Sequence, residues 1–271
     1  MIDLHCHILP GLDDGPPGIE TSLELARAAV NEGIHTIAAT PHCIPEVFFN
    51  ERQAVLEAVA EFQGRLDAEH VPLKIAPGME VHLTLDLAER ITKGSVLTLN
   101  DAGKYILLEF PMNTVPRYAE QVIFELMLKG IKPIIAHPER NREIIENPNL
   151  LYGFMEKGCL IQVTAGSLTG KFGSRVQQRT RDFVQLGWVD FIASDAHDPL
   201  RRPFMLKEAW AAAKDIIGEE RANVLVLGNP QKVLMGEAIG KSEVPPYHSI
   251  KGKVSRKKRS FWSGLASIFK R

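Results

Sequence analysis

The chain has 271 residues, of which 45% are hydrophobic and 24% are charged, as in an ordinary globular protein with a core large enough for one barrel-sized domain. No apolar run approaches the roughly 20 residues that span a bilayer, and the N-terminus lacks the basic and apolar regions of a secretory signal. Cys6, Cys43 and Cys159 cannot all pair and lack zinc-site spacing, so we expect a reduced, cytoplasmic location.

Apolar, β-branched runs alternate along the chain with longer amphipathic stretches. We predict seven strands, at residues 2–7, 36–41, 74–80, 105–110, 133–137, 160–165 and 191–194. The clearest helical patterns between them lie at residues 19–31, 52–69, 119–128, 175–185 and 203–217. This alternation predicts an α/β protein with a parallel sheet, either doubly wound or closed into a barrel.

Most of the predicted strands end in a side chain that can bind a metal ion. The first strand ends in His5-Cys6-His7, and alternation along a strand places both imidazoles on one face. Comparable residues end or closely follow five later strands, and two more lie in the first loop: His42, Glu80, Glu109, His137, Asp195, His197, Asp13 and Asp14. One such residue alone is usually solvated or structural, but six of seven strands sharing the feature predicts a common site.

Four histidines fall outside this pattern. His35 and His70 lie in predicted connections and His248 lies in a predicted linker, so a solvated position is expected for each. His82 follows Glu80 by two residues and could face the same site, but we favour a position outside it.

The motifs resemble those of the polymerase-and-histidinol-phosphatase (PHP) superfamily, and more closely its bacterial capsule-type metal-dependent protein-tyrosine phosphatases. The resemblance covers about residues 1–239 and rests on MIDLHCHILPGLDDGP, TPH, GMEV, LLEFPMNTVP, AHPERN and ASDAHDPLRRP. It implies a distorted, seven-stranded, TIM-like (β/α) barrel, whose active sites lie at the C-terminal ends of the strands.

The resemblance also implies three divalent metal ions, most commonly manganese, with iron and zinc as alternatives for such mixed nitrogen and oxygen ligands. The implied ligands are His5, His7, Glu80 and Asp195 for one ion, Glu80, Glu109 and His137 for a second, and Asp14, His42 and His197 for the third.

This residue set suits the hydrolysis of a phosphate ester. Four carboxylates against three divalent ions leave a net positive site that attracts a phosphate dianion, and a water held between metals is acidified. Arg140 and Arg202 are placed to bind phosphate oxygens, with Arg202 favoured over Arg201 by spacing in the family. Asp13 and His197 both remain candidates for a general acid.

Other phosphatase chemistries lack their motifs. No cysteine is followed by arginine six positions later, and no Asp-x-Asp sequence occurs. The GSLTGKF stretch at residues 166–172 lacks the spacing of a phosphate-binding P-loop, so we interpret it as a polar loop near the barrel mouth. Catalysis by a metal-activated water is the chemistry that remains.

The C-terminus differs in charge from the rest of the chain. Residues 250–271 contain eight Lys or Arg and no Asp or Glu, leaving 24 basic and 33 acidic residues elsewhere. One apolar helical face is predicted there, formed by Phe261, Trp262, Leu265, Ile268 and Phe269. We interpret residues 240–250 as a linker and residues 251–271 as a basic amphipathic tail that lies on an anionic membrane. A solvated tail, or a helix docked on the body, is the alternative.

The sequence therefore predicts a cytoplasmic metal-dependent protein-tyrosine phosphatase with a catalytic barrel at residues 1–239, peripheral at the inner face of the membrane through its tail. The resemblance implies a substrate, a bacterial tyrosine kinase that regulates capsule or exopolysaccharide synthesis. Nucleic acid is disfavoured as a partner because the body is acidic. The alternatives are a small-molecule phosphatase of the histidinol-phosphate type, a phosphodiesterase, and a non-catalytic adaptor that binds phosphotyrosine or membrane.

Overall fold

A computed structural model describes residues 1–240 and 243–247 of the chain. The predicted tail lies outside the described residues, and the predicted linker lies only partly within them. The strands are β1 (Ile2–Cys6), β2 (Thr36–Ala39), β3 (His42–Cys43), β4 (Lys74–Pro77), β5 (Glu80–His82), β6 (Tyr105–Glu109), β7 (Lys132–Ala136), β8 (Leu160–Thr164) and β9 (Phe191–Ala193).

Helices follow most of these strands. The α-helices are α1 (Ile19–Asn31), α2 (Arg52–Ala68), α3 (Leu87–Thr92), α4 (Ala119–Leu128), α5 (Arg142–Glu146), α6 (Asn149–Glu156), α7 (Ala165–Thr169), α8 (Ser174–Leu186), α9 (Leu206–Ile217), α10 (Glu219–Asn223) and α11 (Asn229–Leu234). Two 3-10 turns lie at Leu99–Asp101 and Pro138–Arg140, and a π-helical turn lies at Val224–Gly228. Among the described residues, none of the helices has both the length and the apolar character needed to cross a membrane.

All paired strands are parallel, which confirms the predicted α/β class with parallel pairing. Three strands form one sheet in the order β1-β2-β4, and six form the other in the order β3-β5-β6-β7-β8-β9. Parallel neighbours require crossover connections, and the helices between consecutive strands supply them.

The described residues contain nine strands rather than the seven predicted. Two predicted strands are interrupted, one after β2 and one after β4. Pro41 follows β2 and has no N–H group to donate to a ladder. Gly78 follows β4 at a crowded position, where an added Cβ would lie 3.0 Å from Leu99 and 3.2 Å from Thr40.

The ends of β1 and β9 are joined although the two strands belong to different sheets. Asp3 accepts hydrogen bonds from the Ser194 backbone N–H at 2.9 Å and from its hydroxyl at 2.5 Å. Further along, the Asp195 N–H donates to the carbonyl of His5 at 2.8 Å, and the His7 N–H donates to that of Ala196 at 2.9 Å. These bonds place the residues that follow β9 beside the histidines of β1.

The buried apolar residues form two clusters. The larger one packs the helices onto the strands and includes Leu25 of α1, Phe62 of α2 and Ile37 of β2. The smaller one, which we name the inner apolar cluster, is built mainly from strand residues: Ile2, Leu4, Ala38, Leu99, Tyr105, Leu107, Ile134, Ala136, Leu160, Phe191, Val233 and Ile239. Burial of these side chains is the main favourable contribution to folding of this region.

The predicted helices at residues 19–31 and 119–128 are confirmed, and those at 52–69 and 175–185 agree within one residue at each end. The helix predicted from residue 203 begins at Leu206, because Met205 has a left-handed φ of 52° that cannot continue a helix. Several helices of eight residues or fewer were not predicted, since they are too short for a clear periodicity.

Part of the predicted linker packs against the body. The Tyr247 hydroxyl donates to Asp182 at 2.7 Å, and the guanidinium of Arg179 lies 4.6 Å from the centre of the Tyr247 ring. The indole N–H of Trp188 donates to the carbonyl of Pro245 at 2.9 Å. Pro245 and Tyr247 therefore contact α8 and the loop after it.

Candidate metal centre

The strands and the segments that follow them bring the nine predicted ligand residues into one cluster. His5 lies in β1, His42 begins β3, Glu80 begins β5 and Glu109 ends β6. The others lie in the segments after β1, β7 and β9: His7, Asp14, His137, Asp195 and His197. All of them except His42 and Asp14 are buried.

The first predicted group converges on a common point. The Nε2 atoms of His5 and His7 are 3.2 Å apart, and Oε2 of Glu80 lies 3.2 and 3.3 Å from them. Oδ1 of Asp195 lies 3.5 and 3.6 Å from the same two nitrogens. Ligands bound at about 2.1 Å to one ion are separated by about 3 Å or more, so these four side chains can hold one metal ion.

Glu80 also faces the second predicted group. Its Oε1 lies 2.7 Å from Nε2 of His137, and the same nitrogen lies 3.8 Å from Oε1 of Glu109. The two carboxylate oxygens of Glu80 thus point at different histidines, Oε2 toward the first group and Oε1 toward the second. This arrangement allows Glu80 to bridge two ions.

The third predicted group lies nearer the surface. Oδ1 of Asp14 is 3.1 Å from Nε2 of His197 and 3.5 Å from Nε2 of His42. The ring of His197 stacks on that of His7 with centroids 3.8 Å apart, which links this group to the first. The other nitrogen of His42, Nδ1, lies 3.0 Å from Oε2 of Glu80.

Three of the candidate ligand atoms have no hydrogen-bond partner in the part of the chain that the structure describes, as expected of atoms that bind metal ions. Nδ1 of His42, Oε2 of Glu80 and Nε2 of His197 are buried and have no hydrogen-bond partner within the described residues. His42 Nδ1 and Glu80 Oε2 are close, yet they are not aligned as a hydrogen bond. Buried polar atoms without partners are costly, and bound cations would satisfy them. The Cys6 thiol points instead to the carbonyl of Ala196 at 3.5 Å, so the candidate ligands are nitrogen and oxygen, as manganese, iron and zinc accept.

Neighbouring charges in the cluster shift the pKa values of His7 and Asp195. Burial alone would lower the pKa of His7, but the hydrogen bond and charge of Asp13, together with Glu80, raise it to about 10. Burial alone would raise the pKa of Asp195, but His5 and Arg202 outweigh it and hold that pKa well below its usual range. The Asp195 carboxylate is therefore ionised at neutral pH, as a metal ligand must be.

Two neighbouring side chains orient His5 and His7. Oδ2 of Asp13 lies 2.6 Å from Nδ1 of His7 and also accepts from the His42 N–H at 2.9 Å. Oε1 of Gln162, in β8, lies 2.9 Å from Nδ1 of His5. Each bond leaves Nε2 free to face the cluster, which is the usual arrangement around a metal-binding histidine. Asp13 thus has an orienting position against His7.

Gln162 was missed by the sequence analysis. Its signal was an amide inside the otherwise apolar strand 160–164, and it is completely buried. His82, for which a position outside the site was favoured, lies at the edge of the second group, with Nδ1 3.6 Å from Oε2 of Glu109. His35 and His70, by contrast, lie away from the cluster in the connections before β2 and after α2.

Both predicted arginines lie at the cluster and share one carboxylate oxygen. Oδ2 of Asp195 is 2.5 Å from Nη1 of Arg140 and 2.8 Å from Nη2 of Arg202. The guanidinium of Arg140 also lies 4.6 Å from the centre of the Phe172 ring, which belongs to the stretch predicted to lie near the mouth of the site. The Arg201 side chain, the alternative to Arg202, belongs to an exposed residue in the turn before Arg202.

Comparison with known proteins identifies the family. The family described as "Capsular polysaccharide synthesis, CpsB/CapC" matches residues 1–235. Tyrosine-protein phosphatase YwqE from Bacillus subtilis is 45% identical over 246 residues, covering 91% of this chain and 96% of YwqE. Tyrosine-protein phosphatase CpsB from Streptococcus pneumoniae is 30% identical over 244 residues, covering 88% of this chain and all of CpsB.

Solved structures agree with this relationship. A crystal structure described with YwqE and CpsB as "unique metal-dependent tyrosine phosphatases" matches with a TM-score of 0.88 at 44% identity, covering 91% of this chain and 99% of the other. The lactonase Lmo2620 from Listeria monocytogenes matches with a TM-score of 0.55 at 13% identity, covering 88% and 95%, and shares the fold alone. The chain therefore belongs to the CpsB/CapC family of capsular polysaccharide synthesis proteins.

Proposed function

We propose that this protein is a metal-dependent protein-tyrosine phosphatase. The observation that carries the proposal is the convergence of imidazole and carboxylate groups on Glu80, beside two arginines that share one oxygen of Asp195. Relatives named tyrosine-protein phosphatases match this chain over most of its length, which supports the choice of substrate class.

The nine clustered ligands are proposed to hold three divalent ions, with manganese the first choice and iron or zinc the alternatives. Such ions, when bound, neutralise phosphate charge and acidify a water molecule for attack on phosphorus. The ligand assignment is the one implied by the family resemblance: His5, His7, Glu80 and Asp195; Glu80, Glu109 and His137; Asp14, His42 and His197. The distances within the first and third groups are compatible with it. In the second group, Glu80 Oε1 and His137 Nε2 are hydrogen-bonded at 2.7 Å and would have to separate slightly to share an ion.

Arg140 and Arg202 are proposed to bind the phosphate oxygens of the substrate. A planar guanidinium suits the geometry of a phosphate group and stays charged at every physiological pH. Asp195 holds both guanidinium groups at one place before substrate arrives, so little side-chain freedom is lost on binding. The tyrosyl oxygen, with a pKa of about 10, leaves with less help from an acid than an alkoxide needs.

The fold is proposed to be a distorted, TIM-like (β/α) barrel over residues 1–239. The β2 and β3 segments, and likewise β4 and β5, are close in sequence and pair in the same order, which supports counting each pair as one interrupted strand. Seven strands then remain, and the hydrogen bonds between β1 and the end of β9 support closure.

The proposed substrate is the phosphotyrosine of a bacterial tyrosine kinase that regulates capsule or exopolysaccharide synthesis, in keeping with the description of the family. A cytoplasmic location is proposed, with residues 251–271 holding the enzyme at the inner face of an anionic membrane. Deleting residues 250–271 is expected to abolish binding to phosphatidylserine liposomes while hydrolysis of 4-nitrophenyl phosphate continues. Liposome binding that survives the deletion would rule out this role for the tail.

The phosphatase proposal is tested with metal-stripped protein and a phosphotyrosine peptide, with and without added Mn²⁺. We expect phosphate release only with metal, and none from the His5→Ala, His7→Ala double variant, since both nitrogens of the first group are lost. Histidinol phosphate and single-stranded DNA serve as comparison substrates. Turnover of either one without turnover of the phosphotyrosine peptide would replace the proposal with the corresponding alternative.

A further inference from the structure

Three neighbouring loops at the C-terminal ends of the strands carry large apolar side chains that are exposed to solvent. Val47 and Phe49 follow β3 and are 65% and 67% exposed; Leu85 follows β5 and Met112 follows β6. The strands β3, β5 and β6 are consecutive in the six-stranded sheet, so these loops are neighbours. We name Val47, Phe49, Leu85 and Met112 the apolar rim.

The first of these loops is a tight, hydrogen-bonded turn. The backbones of Ile44 and Phe48 exchange two hydrogen bonds, both of 3.0 Å. The side-chain amide of Asn50 donates to the carbonyl of His42 at 2.8 Å and to that of Leu12 at 3.0 Å. The turn is therefore held at both ends, and its exposed side chains are presented in a defined position.

The same turn contacts the candidate metal centre. The ring of Phe48 stacks on the imidazole of His42, with centroids 5.7 Å apart and an angle of 11° between the planes. Phe48 thus faces inward while its two neighbours, Val47 and Phe49, face solvent. The turn that carries Val47 and Phe49 is therefore joined to the centre by the contact between Phe48 and His42.

We propose that the apolar rim binds the polypeptide that carries the phosphotyrosine and selects aliphatic or aromatic side chains close to it. This inference rests on the proposed phosphatase function and specifies its substrate. A single phosphorylated amino acid in the centre would leave the rim exposed, whereas a peptide extending from the centre over β3, β5 and β6 would cover it. Covering apolar surface of this kind is favourable, and clustered exposure of large apolar side chains marks binding surfaces.

The test compares two phosphotyrosine peptides that differ only in having leucine or serine at the two positions on each side of the phosphotyrosine. The intact, metal-loaded protein is expected to show a kcat/KM about tenfold higher for the leucine peptide, expressed mainly in KM. In the Val47→Ser, Phe49→Ser double variant this preference is expected to fall to about twofold or less. Hydrolysis of free phosphotyrosine measures the activity of the metal centre independently of the rim.

The matched control is Phe124→Ser, which removes an equally exposed phenylalanine, 63% exposed, from α4. The control is expected to keep the full preference for the leucine peptide. A wild-type protein that hydrolyses free phosphotyrosine but treats both peptides alike would overturn the rim proposal and leave the phosphatase proposal intact. A wild-type protein that hydrolyses none of the three would overturn the phosphatase proposal instead.

Sedimentation of the same variants tests the other occupant, a second copy of this chain. We expect the double variant and the wild type to have the same mass at assay concentrations. A wild-type dimer that becomes a monomer in the double variant, with peptide preference unchanged, would assign the rim to self-association and contradict substrate binding.

Discussion

The two ends of the parallel strands bury opposite kinds of side chain. Tyr105 begins β6, and Leu107 and Ile134 are the middle residues of β6 and β7; all three belong to the inner apolar cluster. Glu109 ends β6 and His137 follows β7, and both belong to the candidate metal centre. The two ends are similarly inaccessible to solvent, yet one is held by packing and the other by charge.

The difference shows how the fold separates stability from chemistry. Apolar burial at the first end stabilises the protein by about 25 cal/mol for each Å² removed from water. The ionisable groups at the second end must be desolvated, and hydrogen bonds and opposite charges offset that cost only where their geometry is good. Substitutions at the first end should therefore change stability, and substitutions at the second should change activity.

The largest effect is expected at the polar end, from Glu80→Gln. Glu80 contacts both the first and second ligand groups, and an amide cannot supply the charge of a bridging carboxylate. Phosphotyrosine hydrolysis should fall by about 10³-fold, equivalent to roughly 4 kcal/mol of transition-state stabilisation. Steady-state kinetics at saturating Mn²⁺ measures this.

The control for this substitution is Glu89→Gln, which changes a glutamate with a side chain 63% exposed in α3 and should leave the rate unaltered. A Glu80→Gln protein with more than about a tenth of wild-type activity would show that Glu80 does not bridge catalytic ions.

The second effect belongs to the apolar end. Leu107→Ala creates a cavity among fully buried side chains and should lower the free energy of unfolding by about 2–5 kcal/mol. Urea denaturation measures the change, with Leu128→Ala in α4 as the control because Leu128 is 71% exposed. If the folded Leu107→Ala protein lost its kcat as well, the two ends would not be independent.

A third effect tests whether orientation of a ligand matters apart from the ligand itself. Gln162→Leu removes the hydrogen bond to Nδ1 of His5 while keeping a side chain of similar volume. Removing such a bond commonly costs about 10–100-fold in metal affinity or activity. Calorimetric titration with Mn²⁺ should show weaker binding, and Gln178→Leu in α8 should not; equal affinities in both variants would exclude an orienting role.

The smallest effect is expected in the pH dependence of metal affinity, because metal binding should release a proton from His7. The pKa of about 10 means that His7 is protonated at pH 7.5 without metal, and a metal ligand must be a neutral imidazole. Manganese affinity should therefore weaken by about tenfold for each pH unit of acidification, per proton released. Calorimetry in two buffers with different ionisation enthalpies detects the proton, and identical heats in both would contradict the linkage.

Much of this protein could be predicted from sequence because its signals are local. The alternation of apolar runs with amphipathic stretches identified the parallel α/β class and the bounds of helices such as α1 and α4. A ligand-type residue at the end of six predicted strands identified the region of the candidate site, since parallel strands all end at the same edge. The motifs carried the family resemblance, and the family match confirms it.

Other features depend on contacts between distant segments, which periodicity does not report. The breaks after β2 and β4 follow from Pro41 and from the close packing around Gly78, so nine strands form where seven were predicted. In the sequence, Gln162 is only a polar residue within an apolar strand; in the fold, its Oε1 lies 2.9 Å from Nδ1 of His5. The sequence offered Asp13 as a candidate general acid, and only the structure shows that its Oδ2 lies 2.6 Å from Nδ1 of His7.

The sequence by itself determined which residue types were available and which strand each would end, because side-chain alternation and strand polarity are properties of the local chain. Only the tertiary structure decided which atoms face one another: both arginines on one oxygen of Asp195, two groups on the two oxygens of Glu80, and His82 beside Glu109. Except for Arg202 and Asp195, which are seven positions apart, those pairings join residues from distant parts of the sequence. They exist only where packing of the whole domain brings the strand ends together.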